Sequence, residues 1–274
     1  MAALATAAAL PPALVAQERR LPVVTDFVDI REVIDVQLSP DGRWVAYVLR
    51  EAPDATAPRA QSHTAVYLVA ADGAAPPRRL SPAGAAADLP RWRPDGRALS
   101  YVGPGPDGRR QLLLHPLDGA AAPLGDLRTA ITRYAWSRDG STIALVAAAP
   151  PDTAAERRRR AGYDMIVADE PTSGARLWML DVAAGRARPV SDPELNVRDV
   201  AWSPDGRELA VVAGTSEGAA LLVLDRSGAV QRTLTRNAGG TLTRRQILDW
   251  SPDGRTILFA FTHPAPAAGT SPSQ

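Results

Sequence analysis

Residues 250–259 read Trp-Ser-Pro-Asp-Gly-Arg-Thr-Ile-Leu-Phe, and four other stretches of the chain repeat nearly the same pattern. The other copies occupy residues 38–47, 92–101, 136–145 and 202–211. Each copy predicts the end of one strand, a tight turn and the start of another strand, because proline presets the first turn corner and glycine accepts the positive φ that follows. A unit that recurs in this way can bury its apolar face only by packing on its neighbours.

The Asp-Gly pairs at the five turns give the length of the repeat. They are Asp41-Gly42, Asp95-Gly96, Asp139-Gly140, Asp205-Gly206 and Asp253-Gly254. Successive aspartates are 54, 44, 66 and 48 residues apart, close to the roughly 40–50 residues of a four-stranded propeller blade. A short apolar run, a second turn and a polar run usually follow, which indicates four strands per unit. The sequence therefore predicts an all-β fold, a β-propeller with about four complete blades and part of a fifth.

The turn aspartates and glycines are interpreted as structural residues. A residue that recurs in every unit is rarely the single residue that performs chemistry, so no catalytic residue is predicted among them. The tryptophan before four of the five turns supplies a large apolar area for packing between sheets. The serine hydroxyl beside it is expected to cap the turn.

Four segments are distinguished along the chain. Residues 1–20 include an alanine-rich stretch that is similar to the apolar region and cleavage end of a secretory signal peptide, although the basic leader is absent. They predict export to the periplasm or the medium; the alternatives are a disordered tail and a cytoplasmic protein. The repeats fill residues 25–262, with an insertion at 150–174 that is either a solvated loop or part of a binding surface. Residues 263–274 are expected to be a disordered tail.

Composition argues against several classes of function. The net charge of +1 gives no electrostatic basis for binding nucleic acid. The absence of cysteine excludes disulfides, zinc–thiolate sites and cysteine nucleophiles. No glycine-rich loop opens a helix, and no histidines have metal-ligand spacing, so neither a cofactor nor a metal is predicted. The apolar amino-terminal run is too short, and too rich in proline, for a transmembrane segment.

One stretch matches a nucleophile elbow by sequence alone. Residues 214–218 read Gly-Thr-Ser-Glu-Gly, and Asp249 and His263 follow Ser216 in the order of a catalytic triad. An elbow, however, needs a strand before the serine and a helix after it. Here apolar, strand-like runs lie on both sides, which favours a hairpin loop. We therefore assign no catalytic residue.

The repeats resemble those of the periplasmic protein TolB and of the amino-terminal propeller domain of prolyl oligopeptidase-family serine peptidases. Two further stretches favour the peptidases. Residues 26–48 are similar to the opening of their propeller, and residues 156–178 are similar to an insertion in the acylaminoacyl-peptidase-like branch. The similarity spans about residues 25–262.

The resemblance implies a propeller that breaks no bonds itself. In that family the propeller has seven or eight blades and limits the access of peptides to a hydrolase domain that follows it in the chain. This sequence shows fewer blades and no hydrolase motif before Gln274. We therefore expect a non-catalytic portion, inactive alone, that would meet peptide substrate through a hydrolase domain outside this chain. The alternatives are a stand-alone TolB-like module that binds protein partners in the periplasm and a degraded gene fragment.

The resemblance also raises one hypothesis about binding residues. In dipeptidyl-peptidase relatives an acidic pair on the propeller holds the amino terminus of the substrate. Asp169 and Glu170 are the acidic pair on the insertion, although the surrounding sequence departs from that motif. Our hypothesis is that Asp169 and Glu170 bind the ammonium group of a peptide.

Overall fold

The computed structural model describes residues 32–51, 63–149, 174–215, 218–235 and 248–260, and within these ranges it contains strands and no helix. Blade 1 consists of β1 (Glu32–Leu38), β2 (Trp44–Glu51), β3 (His63–Ala70) and β4 (Arg78–Arg79). Blade 2 consists of β5 (Asp88–Trp92), β6 (Ala98–Pro104), β7 (Arg110–Pro116) and β8 (Ala122–Pro123). Blade 3 consists of β9 (Ile131–Trp136), β10 (Thr142–Ala148), β11 (Ala175–Asp181) and β12 (Arg186–Pro189). Blade 4 consists of β13 (Asn196–Trp202), β14 (Glu208–Thr215), β15 (Gly218–Asp225) and β16 (Val230–Thr235). Blade 5 is described by β17 (Leu248–Trp250) and β18 (Ile257–Phe259).

Each of blades 1 to 4 is an antiparallel sheet whose strand order follows the chain. The repeated turn connects the first strand of a blade to the second. The second and third strands lie inside the sheet, which explains why their sequences are apolar on both faces. The predicted fold class, a partial propeller of four four-stranded blades and part of a fifth, is confirmed.

The hydrophobic core lies between the blades. Three apolar clusters are present in the described part of the chain, and each one is shared by two consecutive blades. In the first interface, Ala46 and Val48 of blade 1 belong to the same cluster as Leu99 and Tyr101 of blade 2. A single blade would leave this surface in water, which is the physical reason that the unit recurs.

The corner tryptophans tie each blade to the one before it. Their indole N–H groups donate to the carbonyl of the residue before the preceding corner: Trp92 Nε1 to Gln37 O at 3.1 Å, Trp202 Nε1 to Ala135 O at 3.1 Å and Trp250 Nε1 to Ala201 O at 3.3 Å. At the remaining interface a hydroxyl relays the contact. Trp136 Nε1 donates to Ser100 Oγ at 2.8 Å, and Ser100 Oγ donates to Arg91 O at 2.9 Å. A hydrogen bond donated by the corner indole therefore occurs at each of the four interfaces between consecutive blades.

A small residue lies opposite each of these acceptor residues in the sheet. The cross-strand partners of Gln37, Arg91, Ala135 and Ala201 are Ala46, Ser100, Ala144 and Ala210. All four small residues are completely buried. A small side chain leaves room for the corner residue of the next blade, so each interface pairs a tryptophan with alanine or serine.

Replacement of Trp202 by phenylalanine tests the indole contact. Trp202→Phe removes the donor to Ala135 O and leaves that carbonyl without its partner, so unfolding free energy should fall by about 1 kcal/mol more than packing loss alone explains. The matched control is Trp178→Phe, because Trp178 Nε1 is buried and has no hydrogen-bond partner in the described part of the chain. Chemical denaturation of both variants measures the difference. Equal losses would contradict a role for the indole hydrogen bond.

Candidate functional site

The five predicted turns share one backbone geometry. The glycines adopt φ between +68° and +71°, a left-handed conformation that other residues rarely adopt. The aspartate carboxylate accepts the backbone N–H two residues later, at 3.0 or 3.1 Å in every turn. Asp41, Asp139, Asp205 and Asp253 also accept a hydrogen bond from the serine two residues earlier. The carboxylates are thus held by their own turns.

These turns shift the ionisation of their aspartates. The serine hydroxyl is the largest cause that lowers the pKa of Asp41, Asp205 and Asp253, and the backbone N–H is the next. The same serine contact, from Ser137, lowers the pKa of Asp139 to about 2. In the second turn Arg93 occupies the serine position, and its Nε lies 3.4 Å from Asp95 Oδ2. The serine hydroxyl beside four of these carboxylates donates to the carboxylate of its own turn, and its oxygen also accepts a backbone N–H of that turn, so both groups serve the turn structure.

The first strand of each of blades 1 to 4 pairs irregularly with the second strand of its blade. The register shifts between Val33 and Asp35, between Asp88 and Arg91, opposite Val146 and Ala147, and between Val197 and Asp199. A β-bulge re-aims the side chain that follows it. The residues at or just after these shifts in register are charged. The repeated turn motif in the sequence does not predict these charged positions.

The four charged residues form what we call the axial row: Asp35, Arg91, Arg133 and Asp199. They lie on β1, β5, β9 and β13, and neighbouring first strands contact one another from blade to blade, as they do around the axis of a propeller. Arg91 Nη1 lies 2.9 Å from Asp35 Oδ2, across the interface between blades 1 and 2. Successive blades thus contribute one negative, two positive and one negative charge.

Asp199 is the most unusual member of the axial row. Its side chain is only 8% exposed, and in the described part of the chain it has no ion pair within 4 Å. Val200 N donates to Asp199 Oδ1 at 2.9 Å. Burial raises the pKa of Asp199, while that N–H bond and the charges of Arg133 and Arg91 act against the increase. A buried carboxylate with little compensation favours a cationic partner or a proton.

A buried network holds the irregular part of β5 that carries Arg91. Leu89 has φ of +55°, the single positive value for a non-glycine residue in the described ranges, and this conformation costs a leucine roughly 1–2 kcal/mol. Tyr134 OH donates to Leu89 O at 2.8 Å and also lies 2.9 Å from Ser100 Oγ. Burial raises the pKa of Tyr134, so the phenol stays a hydrogen-bond donor. Blade 3 thereby fixes the strand that presents Arg91.

The other residues considered from the sequence lie partly inside and partly outside the described part of the chain. Thr215 pairs with Gly218 at the end of two antiparallel strands, so a strand stands where a nucleophile elbow needs a helix. Asp169, Glu170, Ser216 and His263 lie outside the described residues. His115 is buried on β7 with its Nδ1 2.6 Å from Pro116 O. No group of three metal-ligating side chains is present among the described residues, and no helix there is long and apolar enough to cross a membrane.

A depression of about 550 Å³ lies between blades 3 and 4, away from the axial row. Arg186, Arg188 and Arg226 line it together with two aspartates. Asp126 Oδ1 accepts the backbone N–H of Ala187, and Asp181 Oδ1 accepts that of Ala184, both at 2.9 Å. Asp181 thus serves its own turn, and Asp126 holds the backbone of β12. Arg226 stacks over Trp202 at 5.3 Å from the ring centroid.

Comparison with known proteins agrees with this architecture. No family model matches the chain. An uncharacterised peptidase of Bacillus subtilis (strain 168), YuxL, is 25% identical over 217 residues, which cover 73% of this chain and 32% of that protein. The chain therefore spans about a third of the length of this curated relative.

Two solved structures share the fold. A TolB structure from Agrobacterium tumefaciens gives a TM-score of 0.53 at 17% identity, over 83% of this chain and 74% of that one. The acylaminoacyl peptidase of Pyrococcus horikoshii also gives a TM-score of 0.53, at 13% identity, over 77% of this chain and 33% of that one. The predicted resemblance to both kinds of propeller is confirmed at the level of the fold. The chain is a propeller domain similar to those of peptidases and of TolB.

Acid titration tests the turn geometry at Asp139. Because the folded pKa lies near 2 and the ordinary value is 3.8, the ionised carboxylate stabilises the fold above about pH 4, and this contribution is lost as pH falls toward 2. The melting temperature of wild type should exceed that of Asp139→Asn at pH 6, and the gap should close at pH 2. In a Ser137→Ala background the pH-dependent part of the gap should shrink. Parallel curves in both backgrounds would refute the assignment.

Asp199→Asn tests the buried carboxylate. A raised folded pKa means that the ionised form destabilises the native state above that pKa, and that this penalty disappears as pH falls through it. Asparagine keeps an acceptor for Val200 N–H and removes the charge, so the variant should be about 1 kcal/mol more stable at pH 7. The gain should vanish as pH falls toward 4. The control, Asp35→Asn, breaks the pair with Arg91 and should stabilise at no pH.

Proposed function

We propose that this chain is the non-catalytic propeller portion of a serine peptidase of the prolyl oligopeptidase family, and that it controls the access of peptides to a hydrolase domain. The fold likeness to an acylaminoacyl peptidase and the curated peptidase relative support this proposal. The observation that carries it is the axial row, in which the first strands of four consecutive blades carry charges of both signs.

The chemistry of the axial row suits a peptide with free ends. A peptide presents an ammonium group, a carboxylate and a row of amide groups. Asp199, buried and without an ion pair in the described residues, would accept an ammonium group through charge-assisted hydrogen bonds. Arg91, already ordered by Asp35, presents a guanidinium group that can bind a carboxylate in a forked geometry. A peptide moving along the first strands would meet both.

The proposal includes two hypotheses from the sequence, one about an acidic pair on the insertion and one about export. Asp169 and Glu170 are proposed to bind a substrate ammonium group, and unchanged peptide affinity after double replacement by alanine would exclude that role. Export to the periplasm is proposed from the signal-like first residues. Detection of the tagged chain in the periplasmic fraction, lost when residues 2–16 are deleted, would support it.

The TolB likeness favours a second function, a stand-alone module that binds protein partners. It rests on the 74% of the Agrobacterium chain that the similarity covers. The two proposals differ in what the gene encodes. A reading frame that continues into a Gly-X-Ser-X-Gly elbow between a strand and a helix would favour the peptidase. A stop codon among envelope genes would favour the module.

Calorimetric titration with tetra-alanine tests peptide binding at the axial row. The free peptide should bind, and Asp199→Asn should weaken binding by about tenfold because one charge-assisted contact is lost. Tetra-alanine with acetyl and amide caps should bind to wild type no more tightly than free tetra-alanine binds to Asp199→Asn. Arg128→Gln is the control, since Arg128 pairs with Asp107 outside the axial row.

The purified chain should hydrolyse none of these peptides. Equal affinity for free and capped peptide would refute recognition of charged termini by the axial row. Hydrolysis abolished by Ser216→Ala would refute the non-catalytic assignment.

A further inference from the structure

The interface between blades 3 and 4 differs from the two interfaces before it at one position, the residue directly after the third strand of a blade. In blade 2 this residue is Leu117 and in blade 3 it is Val182, and each packs against the apolar cluster shared with the preceding blade. In blade 4 the same position holds Arg226. The depression of about 550 Å³ between blades 3 and 4 lies at this point, with Arg226 in its lining. A cation thus occupies the place of an apolar side chain.

Two further arginines line the same depression from blade 3. Arg186 and Arg188 are two residues apart on β12, so their side chains leave the same face of the strand about 7 Å apart. Their cross-strand partners, Asp181 and Met179, line the depression as well. Both arginines are exposed, and neither has an ion pair or a side-chain hydrogen bond in the described part of the chain. Their guanidinium groups are therefore available to a ligand.

Arg226 is positioned by contacts with both blades. Its Nη2 donates to Thr142 Oγ1 of blade 3 at 3.4 Å, and its guanidinium group stacks over Trp202 of blade 4. The neighbouring carboxylate of Asp225 is engaged elsewhere, because it accepts the backbone N–H groups of Ser227 and Ala229 in its own turn. Arg226 thus presents its positive charge to the depression from the side opposite to β12.

The lining carries more positive than negative charge, since three arginines lie there with two aspartates. One oxygen of each aspartate already accepts a backbone N–H group, Asp126 Oδ1 from Ala187 and Asp181 Oδ1 from Ala184. Among the described residues, neither aspartate has an ion pair within 4 Å. Three guanidinium groups without a carboxylate partner favour an anion that can contact several of them through charge-assisted hydrogen bonds.

We propose that the depression between blades 3 and 4 binds a small phosphate monoester, whose phosphoryl group contacts Arg186, Arg188 and Arg226. A phosphoryl group has three terminal oxygens and nearly two negative charges at neutral pH, so it can meet guanidinium groups from two blades at once. A carboxylate has two oxygens and one charge and would leave one arginine unmatched. The volume is in the range of small-molecule sites and leaves room for the organic part of the ligand.

This site is separate from the proposed recognition of peptides, because no residue of the axial row lines the depression. A bound phosphoryl group would join cations from blades 3 and 4. It should therefore raise the melting temperature of the chain, as any ligand does that binds the folded state alone.

Calorimetric titration of the full chain with phenyl phosphate at pH 7 and fixed ionic strength tests the proposal. Wild type should show saturable binding at one site. Arg188→Gln and Arg226→Gln should each weaken binding by about tenfold, because each variant loses one charge-assisted contact.

Arg78→Gln is the matched control. Arg78 pairs with Leu68 in blade 1 as Arg188 pairs with Met179 in blade 3, but its Nη2 donates to Leu117 O at 3.0 Å. This variant should bind phenyl phosphate as tightly as wild type does. Arg226→Leu restores the residue of blade 2 and should abolish binding while it keeps the melting temperature of the unliganded wild type.

Two measurements separate this site from a general attraction for anions. Benzoate has the same ring and a single charge, so it should bind about tenfold more weakly than phenyl phosphate. The affinity for phenyl phosphate should fall several-fold between pH 7 and pH 5, because a phosphate monoester loses its second charge near about pH 6 while arginine stays charged. A wild type that binds no phenyl phosphate would overturn the proposal. So would equal losses in Arg78→Gln and Arg188→Gln, benzoate bound as tightly as phenyl phosphate, or an affinity that does not change with pH.

Discussion

The structure depends on the contact between a corner tryptophan and a small residue of the preceding blade. This contact occurs at four successive interfaces and combines two forces. The indole removes a large apolar area from water, and its N–H group donates to a backbone carbonyl of the preceding blade at three interfaces and to the Ser100 hydroxyl at the fourth. Because the core lies between blades, a weakened interface affects both sheets that it joins. The repeated turn contributes by holding each tryptophan at the same height in its blade.

The axial row is a consequence of this stacking. Once the blades are held side by side, neighbouring first strands contact one another, and Arg91 of blade 2 can pair with Asp35 of blade 1. The bulges then select which side chains turn toward the axis. The interface between blades 2 and 3 shows the connection most directly, since Ser100 accepts the indole of Trp136 and also lies against Tyr134, which holds Leu89. One buried hydroxyl thus links blade packing to the position of Arg91.

The sequence was sufficient to predict the fold because the repeat combines a regular spacing with turn chemistry. Proline, aspartate and glycine at fixed offsets leave few alternatives to a tight turn, and intervals of blade length leave few alternatives to a propeller. The axial row could not be predicted in the same way. Asp35, Arg133 and Asp199 stand three residues before their corners, but their convergence depends on bulges, which have no clear sequence signal. A serine inside an apolar strand carries no signal of its own, although Ser100 occupies the position of the buried Ala46, Ala144 and Ala210 in the other blades.

The most direct test of the central claim is a double-mutant cycle between Trp136 and Ser100, measured by chemical denaturation. The single variants Trp136→Phe and Ser100→Ala and the double variant give the coupling between two blades that meet through this pair. The account predicts a coupling energy of about 1 kcal/mol or more, because the indole donor and its hydroxyl acceptor lose the same hydrogen bond. Additive losses, with coupling below about 0.3 kcal/mol, would contradict it.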